Sequence, residues 1–392
     1  MHTNINEMNR AMERIVYRED GRALAGLAAI VMRGGEIAYE NALGTQDFAR
    51  NLPLRLDSRA RIASVSKTFA TIAAMQLKDV GKLDLDADAG EYLGFALRNP
   101  RYPQTPITTR MLLSHTSSLR DNDDYWLPIG ATTSDFFRDA RYYAEEAPGY
   151  YCYCNLNFGL LGAIIEKLSG EKFNHYMNRH VFAPMGIKAS FDVCDFDAQE
   201  IDKLAPIYNG DGKGGWEAAL DDYRGQVVPR NPAREAVAPG VNGTLYSPQG
   251  GLRISVRELT ALIRTFLRGG DGILSPESVA EMFTPVWTYD GSNGFTDGGF
   301  DRSYGLGVHI LTNSGGDSLL KDRALPYSGH TGNAYGLFSG WYLDRESGNA
   351  VLYLCNGTQC GVETPLSRGT FSQNWIWVEE LMQAIHTWIL PQ

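Results

Sequence analysis

Strand-like sequence sits at the two ends of this chain and helix-like sequence fills its middle, a separation that restricts the possible folds more than any other feature. Near the start, Leu27 to Met32 and Ile37 to Leu43 read as two strands joined through Gly34-Gly35. A helix with Met8, Met12, Ile15 and Val16 at helical spacing precedes them. Strands return late in the chain at Gly305 to Leu311, Tyr335 to Leu343 and Ala350 to Cys355, the last after a turn at Glu346 to Asn349. A closing helix carries Trp375, Ile376, Val378, Leu381, Met382, Ile385, Trp388 and Ile389. Between these blocks, Ser64 to Val80 reads as a helix with Phe69, Ile72, Ala73 and Leu77 on one side and Gly81 at its stop. Leu83, Leu85 and Tyr92 follow in a loop, and further helical stretches are Thr109 to Leu113, a stripe of Phe158, Leu161, Ile164, Ile165 and Leu168 ended by Gly170, Val256 to Leu267 and Pro276 to Phe283. The pattern predicts an α+β fold in which distant segments build one sheet around an inserted helical lobe.

A length of 392 residues exceeds the ~250 to 300 at which one core stops growing, so one large two-lobed domain or two domains are expected. Glycine-rich runs at Asn209 to Gly215 and Gly291 to Gly299 read as surface loops around a cleft rather than linkers. Thirty-six Lys plus Arg against 46 Asp plus Glu leave a net charge of −10, which supplies no global basic field for nucleic acid or anionic lipid. Met1 to Arg22 contains Glu7, Arg10, Glu13, Arg14, Arg18, Glu19 and Asp20 and no apolar segment of signal-peptide type, so a cytoplasmic location is expected. Five cysteines, an odd number, fit a reducing compartment better than a disulfide framework, and Cys355 and Cys360 read as two reduced thiols. Cys152 and Cys154 stand too close for the usual Cys-x2-Cys clasp, and no His-Cys cluster completes a metal site.

The sharpest chemical feature is Ala63-Ser64-Val65-Ser66-Lys67 at a helix opening. A spacing of three puts Ser64 and Lys67 on one helical face, where the amine reaches the hydroxyl, and the first-turn backbone N–H groups are free to meet a developing anion. By itself the spacing is equally that of a capping serine followed by a solvated lysine. Two later motifs change its meaning: Tyr153-Cys154-Asn155 just ahead of the helix beginning near Leu156, and Gly329-His330-Thr331-Gly332 just before the strand from Tyr335. With Ser-x-x-Lys, Tyr-x-Asn and His-x-Gly in this order, the chain resembles the serine β-lactamase and penicillin-binding-protein superfamily, in its class C-like branch with DD-peptidases, D-aminopeptidases and esterases. Met111-Leu-Leu-Ser-His-Thr-Ser117, Asn157-Phe-Gly-Leu-Leu-Gly162, Gly250-Gly-Leu-Arg-Ile-Ser255 and Gly270-Asp-Gly-Ile-Leu-Ser275 extend the resemblance over roughly residues 10 to 390.

The resemblance implies a β-lactamase-like fold, an antiparallel sheet flanked by N- and C-terminal helices. It also implies a single catalytic domain over 1–392, with an α/β lobe from about 1–65 and 240–392 and a mainly helical lobe from about 66–239. It implies a serine hydrolase in which Ser64 forms an acyl-enzyme, Lys67 and Tyr153 manage its proton, and Asn155 positions the lysine. The backbone N–H groups of Ser64 and Asn333 would hold the oxyanion, and the strand bearing His330, Thr331, Gly332 and Asn333 would line the substrate. Both Lys67 and Tyr153 would need lowered pKa values, supplied by desolvation or a nearby cation. No cofactor or metal is implied, and the expected partner is a small molecule or short peptide, with no nucleic acid, no membrane and no stated oligomeric state.

Cys154 stands where many members have serine, and His330 where a β-lactamase of this branch usually has lysine. A histidine near its ordinary pKa of ~6.5 gives uncertain purchase on a carboxylate and a falling pH profile between about pH 6 and 8. Amides or peptides with a D-residue, as in D-aminopeptidases or DD-peptidases, therefore come first, with simple esters or acyl transfer as the alternative and β-lactams behind them. A non-catalytic binding protein on the same fold is the reading from another class. A class A lactamase fits poorly: Ser134-Asp135-Phe136 lacks the motif's asparagine, and Glu166 reads as a solvated helix-face residue. His115 is expected to be a hydrogen-bonded framework residue, and His175 and His180 surface residues. No Gly-x-Ser-x-Gly pentapeptide supports a Ser-His-Asp hydrolase. Tyr125, Trp126, Tyr150 and Tyr151 serve either as aromatic walls or as core.

Overall fold

The computed structural model describes residues 4–122 and 125–390. Its main sheet is built on five long strands: β1 (Leu24–Arg33), β2 (Glu36–Asp47), β3 (Ser328–Ala334), β4 (Leu337–Asp344) and β5 (Asn349–Thr358). They lie side by side in the order β2-β1-β5-β4-β3, so the strand nearest the N-terminus pairs with the last strand of the chain, Ala28 opposite Leu354 and Ile30 opposite Leu352. Short strands at His309–Ile310, Ser303–Tyr304 and Trp287–Thr288 continue the sheet beyond β3.

Both faces of the sheet are covered, which explains why β1 reads as an unbroken apolar run rather than an alternating one. Leu27, Ala29 and Val31 face the first and last helices, α1 (Ile5–Val16) and α6 (Ile376–Trp388), in one buried cluster with Phe338, Tyr342 and Tyr353. Ala28, Ile30 and Met32 face the opposite core with Trp341 and Leu352, against α2 (Ser66–Asp79), α3 (Leu156–Ser169) and α4 (Val256–Leu267). Helix α4 starts at a reciprocal capping box between Ser255 and Glu258, and α5 (Pro276–Met282) opens on the Ser275 side chain with Pro276 in its first turn.

Four local expectations are corrected. Gly305 to Leu311 is not one strand: Gly307, at φ +61°, breaks it into Ser303–Tyr304 and His309–Ile310. The strand expected from Tyr335 begins at Leu337, because Tyr335 occupies a turn at φ +60°, and the preceding Ser328–Ala334 is itself a strand. The Asn209 to Gly215 run is the tip of a hairpin, Ile207–Gly210 with Trp216–Leu220, and its first strand pairs with the end of β5 in parallel, an exception in an otherwise antiparallel sheet. Tyr92 lies in a helical turn, Ala89–Leu93, and not in a loop.

Candidate functional site

Ser64 lies in a single 3-10 turn, Ala63–Val65, entered through Ala63 in a left-handed conformation at φ +46° and leading straight into α2. The neighbours of Ser64 on both sides are buried while Ser64 itself is partly open. Strand β3 packs against this turn so closely that a Cβ on Gly332 would lie 2.4 Å from the Ile62 carbonyl oxygen and 2.8 Å from the Ser64 nitrogen, so only glycine fits there. Ser339 on β4 ties the same segment down by donating to the Ile62 carbonyl at 2.8 Å.

One turn on, Lys67 is fully buried. Its Nζ lies 2.9 Å from Ser64 Oγ, 2.7 Å from Asn155 Oδ1 and 2.9 Å from the Gln249 carbonyl oxygen. Burial pulls its pKa down to about 7, against the weaker opposing pull of Asp121 and Cys154. Of the two causes expected for this shift, desolvation is the one present.

Tyr153 and Asn155 reach the site from the segment before α3. Asn155 is held by Asp121, whose carboxylate accepts from the Asn155 backbone N–H at 2.8 Å, its side-chain amide at 2.8 Å and the Leu156 N–H at 2.9 Å. With its amide nitrogen held by Asp121, Asn155 can offer only its oxygen to Lys67. The sequence reading missed Asp121: within Asp121-Asn-Asp-Asp124 it looks like a solvated acidic run. The buried Cys154 thiol sits 3.4 Å from Asp121, and desolvation pushes its pKa well up, so it stays protonated. His115, at φ +57°, is the framework residue expected: its Nδ1 accepts from the Cys154 N–H at 3.0 Å and its ring stacks on Tyr153 with centroids 4.2 Å apart.

Tyr153 does not have the lowered pKa expected of it. Burial pushes its phenol up, and a hydrogen bond with Ser64 only partly opposes this. His330 also departs from expectation: burial, with the Lys67 charge adding to it, drives its pKa down to about 3. Its Nδ1 lies 2.6 Å from the Thr331 carbonyl, which can only accept, so Nδ1 carries the proton, and Nε2 then accepts from the Tyr304 hydroxyl at 2.8 Å. Both ring nitrogens are occupied and the ring is neutral between pH 6 and 8, so His330 cannot generate the falling profile predicted there.

These groups open on a cleft of about 1010 Å³ lined by Ser64, Tyr153, Asn155, His330, Thr331 and Asn333, while a larger depression of about 1190 Å³ between α1 and α6 contains none of them. Of the candidate aromatic walls, Tyr125 and Trp126 line the cleft; Tyr151 is fully buried and stacked on Trp287 at 4.1 Å. The Gly291 to Gly299 loop brings Phe295 and Asp297 to the same cleft. Arg61 lines it as well. Glu166 is not solvated: it is buried, accepting from the Phe173 N–H at 2.8 Å and the Gly240 N–H at 2.7 Å, and burial raises its pKa to about 7. His175 is exposed and His180 is half-buried beside Glu171. All five cysteines are free thiols. Among the described residues no group of His, Cys, Asp and Glu is arranged to hold a metal, and no helix is long and apolar enough to cross a membrane.

The family described as Beta-lactamase matches residues 11–366. The chain is 28% identical over 380 residues to the esterase EstB of Burkholderia gladioli, covering 88% of this chain and 89% of that one. It is 32% identical over 190 residues to a D-aminopeptidase of Brucella anthropi, covering 43% of this chain and 34% of that relative. Among solved structures, EstCE1, described as a hydrolase with promiscuous acyltransferase activity, superposes with a TM-score of 0.72 at 22% identity over 97% of this chain and 98% of its own. The D-amino acid amidase of Ochrobactrum anthropi gives 0.68 at 20% identity over 97% and 99%.

Proposed function

This chain belongs to the β-lactamase family and is a serine hydrolase, and we propose that it works through an acyl-enzyme on Ser64, with carboxylic esters as its first substrate class and amides of D-residues as its second. The observation that carries the proposal is a fully buried Lys67 amine 2.9 Å from Ser64 Oγ with a pKa of about 7. A neutral amine has two N–H groups and one lone pair. Asn155 Oδ1 and the Gln249 carbonyl accept the two N–H groups, which turns the lone pair to the Ser64 hydroxyl. As Ser64 Oγ bonds to the substrate carbonyl carbon, its proton passes to Lys67, and the oxyanion lies between the backbone N–H groups of Ser64 and Asn333. Tyr153, which rests as a neutral phenol, gives its proton to the departing alkoxide and regains one from the Lys67 ammonium. Water then repeats the sequence on the acyl-enzyme, and an alcohol in its place gives acyl transfer.

Esters come ahead of β-lactams because His330, neutral and with both nitrogens occupied, offers no cation to the carboxylate of a penicillin or cephalosporin. Incubation with 4-nitrophenyl butyrate, D-alanine 4-nitroanilide and a chromogenic cephalosporin should give a stoichiometric burst with the ester, slower release from the anilide and little from the cephalosporin. An active preparation with no acyl mass on the Ser64 peptide would remove the mechanism.

Asp121→Asn gives a further expectation. The Asp121 charge holds the Lys67 pKa up, so removing it should move the acidic limb of the acylation profile to lower pH. Turnover should also fall about tenfold or more, through a displaced Asn155. A lowered rate with an unmoved limb would mean that Asp121 serves the fold alone.

A further inference from the structure

Four exposed aromatic side chains, Tyr125, Trp126, Phe295 and Tyr335, line the cleft, and none of their rings lies against another ring or a cation among the described residues. Exposed rings gathered in one concave place mark a surface that an apolar group covers. Tyr335 is the most costly of the four to display. Its backbone is left-handed at φ +60°, and it is the bulkiest of the described non-glycine residues with positive φ, a conformation strained for a large side chain. Packing imposes that strain. A Cβ on the next residue, Gly336, would lie 1.9 Å from the Tyr208 carbonyl oxygen, so the turn is pressed against the Ile207–Gly210 strand and leaves Tyr335 53% exposed at the cleft.

Strand β3 gives this ring its place along the substrate. Gly332 meets the Ser64 turn and the strand is extended, so His330 lies ~7 Å to one side of that contact and Ala334, next to Tyr335, ~7 Å to the other. The His330 end is the Tyr153 end, the two ring centroids being 6.4 Å apart. Phe295 belongs to that end as well: its N–H donates at 2.9 Å to the carbonyl of Tyr151, two residues before Tyr153. Tyr153 serves the leaving group, so Tyr335 stands at the acyl end. The floor there is apolar, since Ala334 packs on Ala63, Ile207 and Leu337, and both alanines line the cleft. Charge does not select at this end. Arg61, donating to the Gly250 carbonyl at 2.8 Å, and Glu363, accepting from the Asn333 side-chain amide at 3.2 Å, both line the cleft, with Asp297 and Asp301, so a charged acyl group of either sign meets a like charge.

We infer that Tyr335 receives an aromatic ring carried at the end of the acyl chain, which makes esters of ω-arylalkanoic acids the preferred substrate class. The inference rests on the acyl-enzyme reading above. A second ring fits an exposed ring face by offset stacking, which adds to the area it buries. The ~7 Å reach is about six bonds of extended chain, at the ~3.5 Å that three backbone bonds span, which suits 5-phenylpentanoate. The test compares 4-nitrophenyl 5-phenylpentanoate with 4-nitrophenyl pentanoate, which share a leaving group. Wild-type kcat/KM should favour the phenyl ester by roughly tenfold or more, the scale of burying one aromatic ring. Tyr335→Gly should remove most of that preference and Tyr335→Phe should keep it, because the ring and not the hydroxyl makes the contact. Glycine also relieves the left-handed backbone, so the thermal midpoint of Tyr335→Gly should hold or rise; a lower midpoint would assign the ring to the fold instead. With the ring moved to the alcohol, any preference for 5-phenylpentyl acetate over pentyl acetate should be indifferent to Tyr335→Gly. Equal wild-type turnover of the two nitrophenyl esters, a preference retained in Tyr335→Gly, or a loss confined to the acetate pair overturns the assignment. The wild-type comparison decides the matter alone should the variant not fold. Equal turnover would leave the Ser64 mechanism standing, whereas no turnover of either nitrophenyl ester would remove both.

Discussion

Ser64→Ala is expected to lower ester turnover by ~10⁴-fold or more, since loss of an acyl-enzyme nucleophile leaves only binding and oxyanion contacts to act. No neighbouring hydroxyl substitutes. Ser66, two residues on, is fully buried, and its Oγ accepts from the Leu252 N–H at 3.1 Å, so it holds backbone and does not face the cleft. Folding should be little affected, because the partners that Ser64 Oγ would leave are Lys67 and Tyr153 at the cleft, and Lys67 keeps Asn155 and Gln249 as acceptors. Two measurements check this: the thermal midpoint should stay within a few degrees, and a fluorophosphonate should label the Ser64 peptide in the wild type and no serine in the variant. Near-normal turnover by Ser64→Ala would end the case for this nucleophile.

Lys67→Ala and Tyr153→Phe should each reduce acylation by ~100-fold or more, the usual cost of removing a positioned proton carrier. The wild-type pH profile gives the stricter test. The base works when deprotonated, and its pKa is about 7, so kcat/KM should rise about tenfold per unit below pH 7 and level off above it. His330, with a pKa of about 3, contributes no limb between pH 6 and 8, and the raised Tyr153 phenol contributes none there either. In Lys67→Ala the rising limb should disappear. A rate that fell with rising pH between 6 and 8 would mean that a protonated group is required and that the amine is not the base.

The sequence revealed most of the frame and the two halves of the nucleophilic pair. Helices such as Val256–Leu267 carry their own punctuation, an apolar stripe with a Ser255/Glu258 capping box, so their limits can be read directly. Strand β3 escaped notice because Ser-Gly-His-Thr-Gly-Asn-Ala has no apolar alternation; its place comes from pairing with β4 and from the tight approach of Gly332 to the Ser64 turn. Glu166 was misread for a related reason: its ligands, the Phe173 and Gly240 N–H groups, are backbone atoms of other segments that no side-chain pattern announces. The same holds for the Gln249 carbonyl on Lys67 and for Asp121 behind Asn155. The pKa expectations for Tyr153 and His330 failed because spacing says nothing of burial depth, and burial is the first cause of both shifts.

The pairing of β1 with β5 also bears on how the protein is made. Val31 and Val351 are partners in the middle of the sheet. A ribosome adding ~5 to 20 residues per second therefore leaves β1 without that neighbour for roughly 15 to 60 s after it emerges. During that time one edge of an apolar strand is open to any passing chain, a recognised route to misassembly. Faster elongation or lower growth temperature should thus change the soluble yield of this protein more than that of a chain whose sheet closes locally. Truncation before Thr358 should yield aggregate rather than a smaller folded unit.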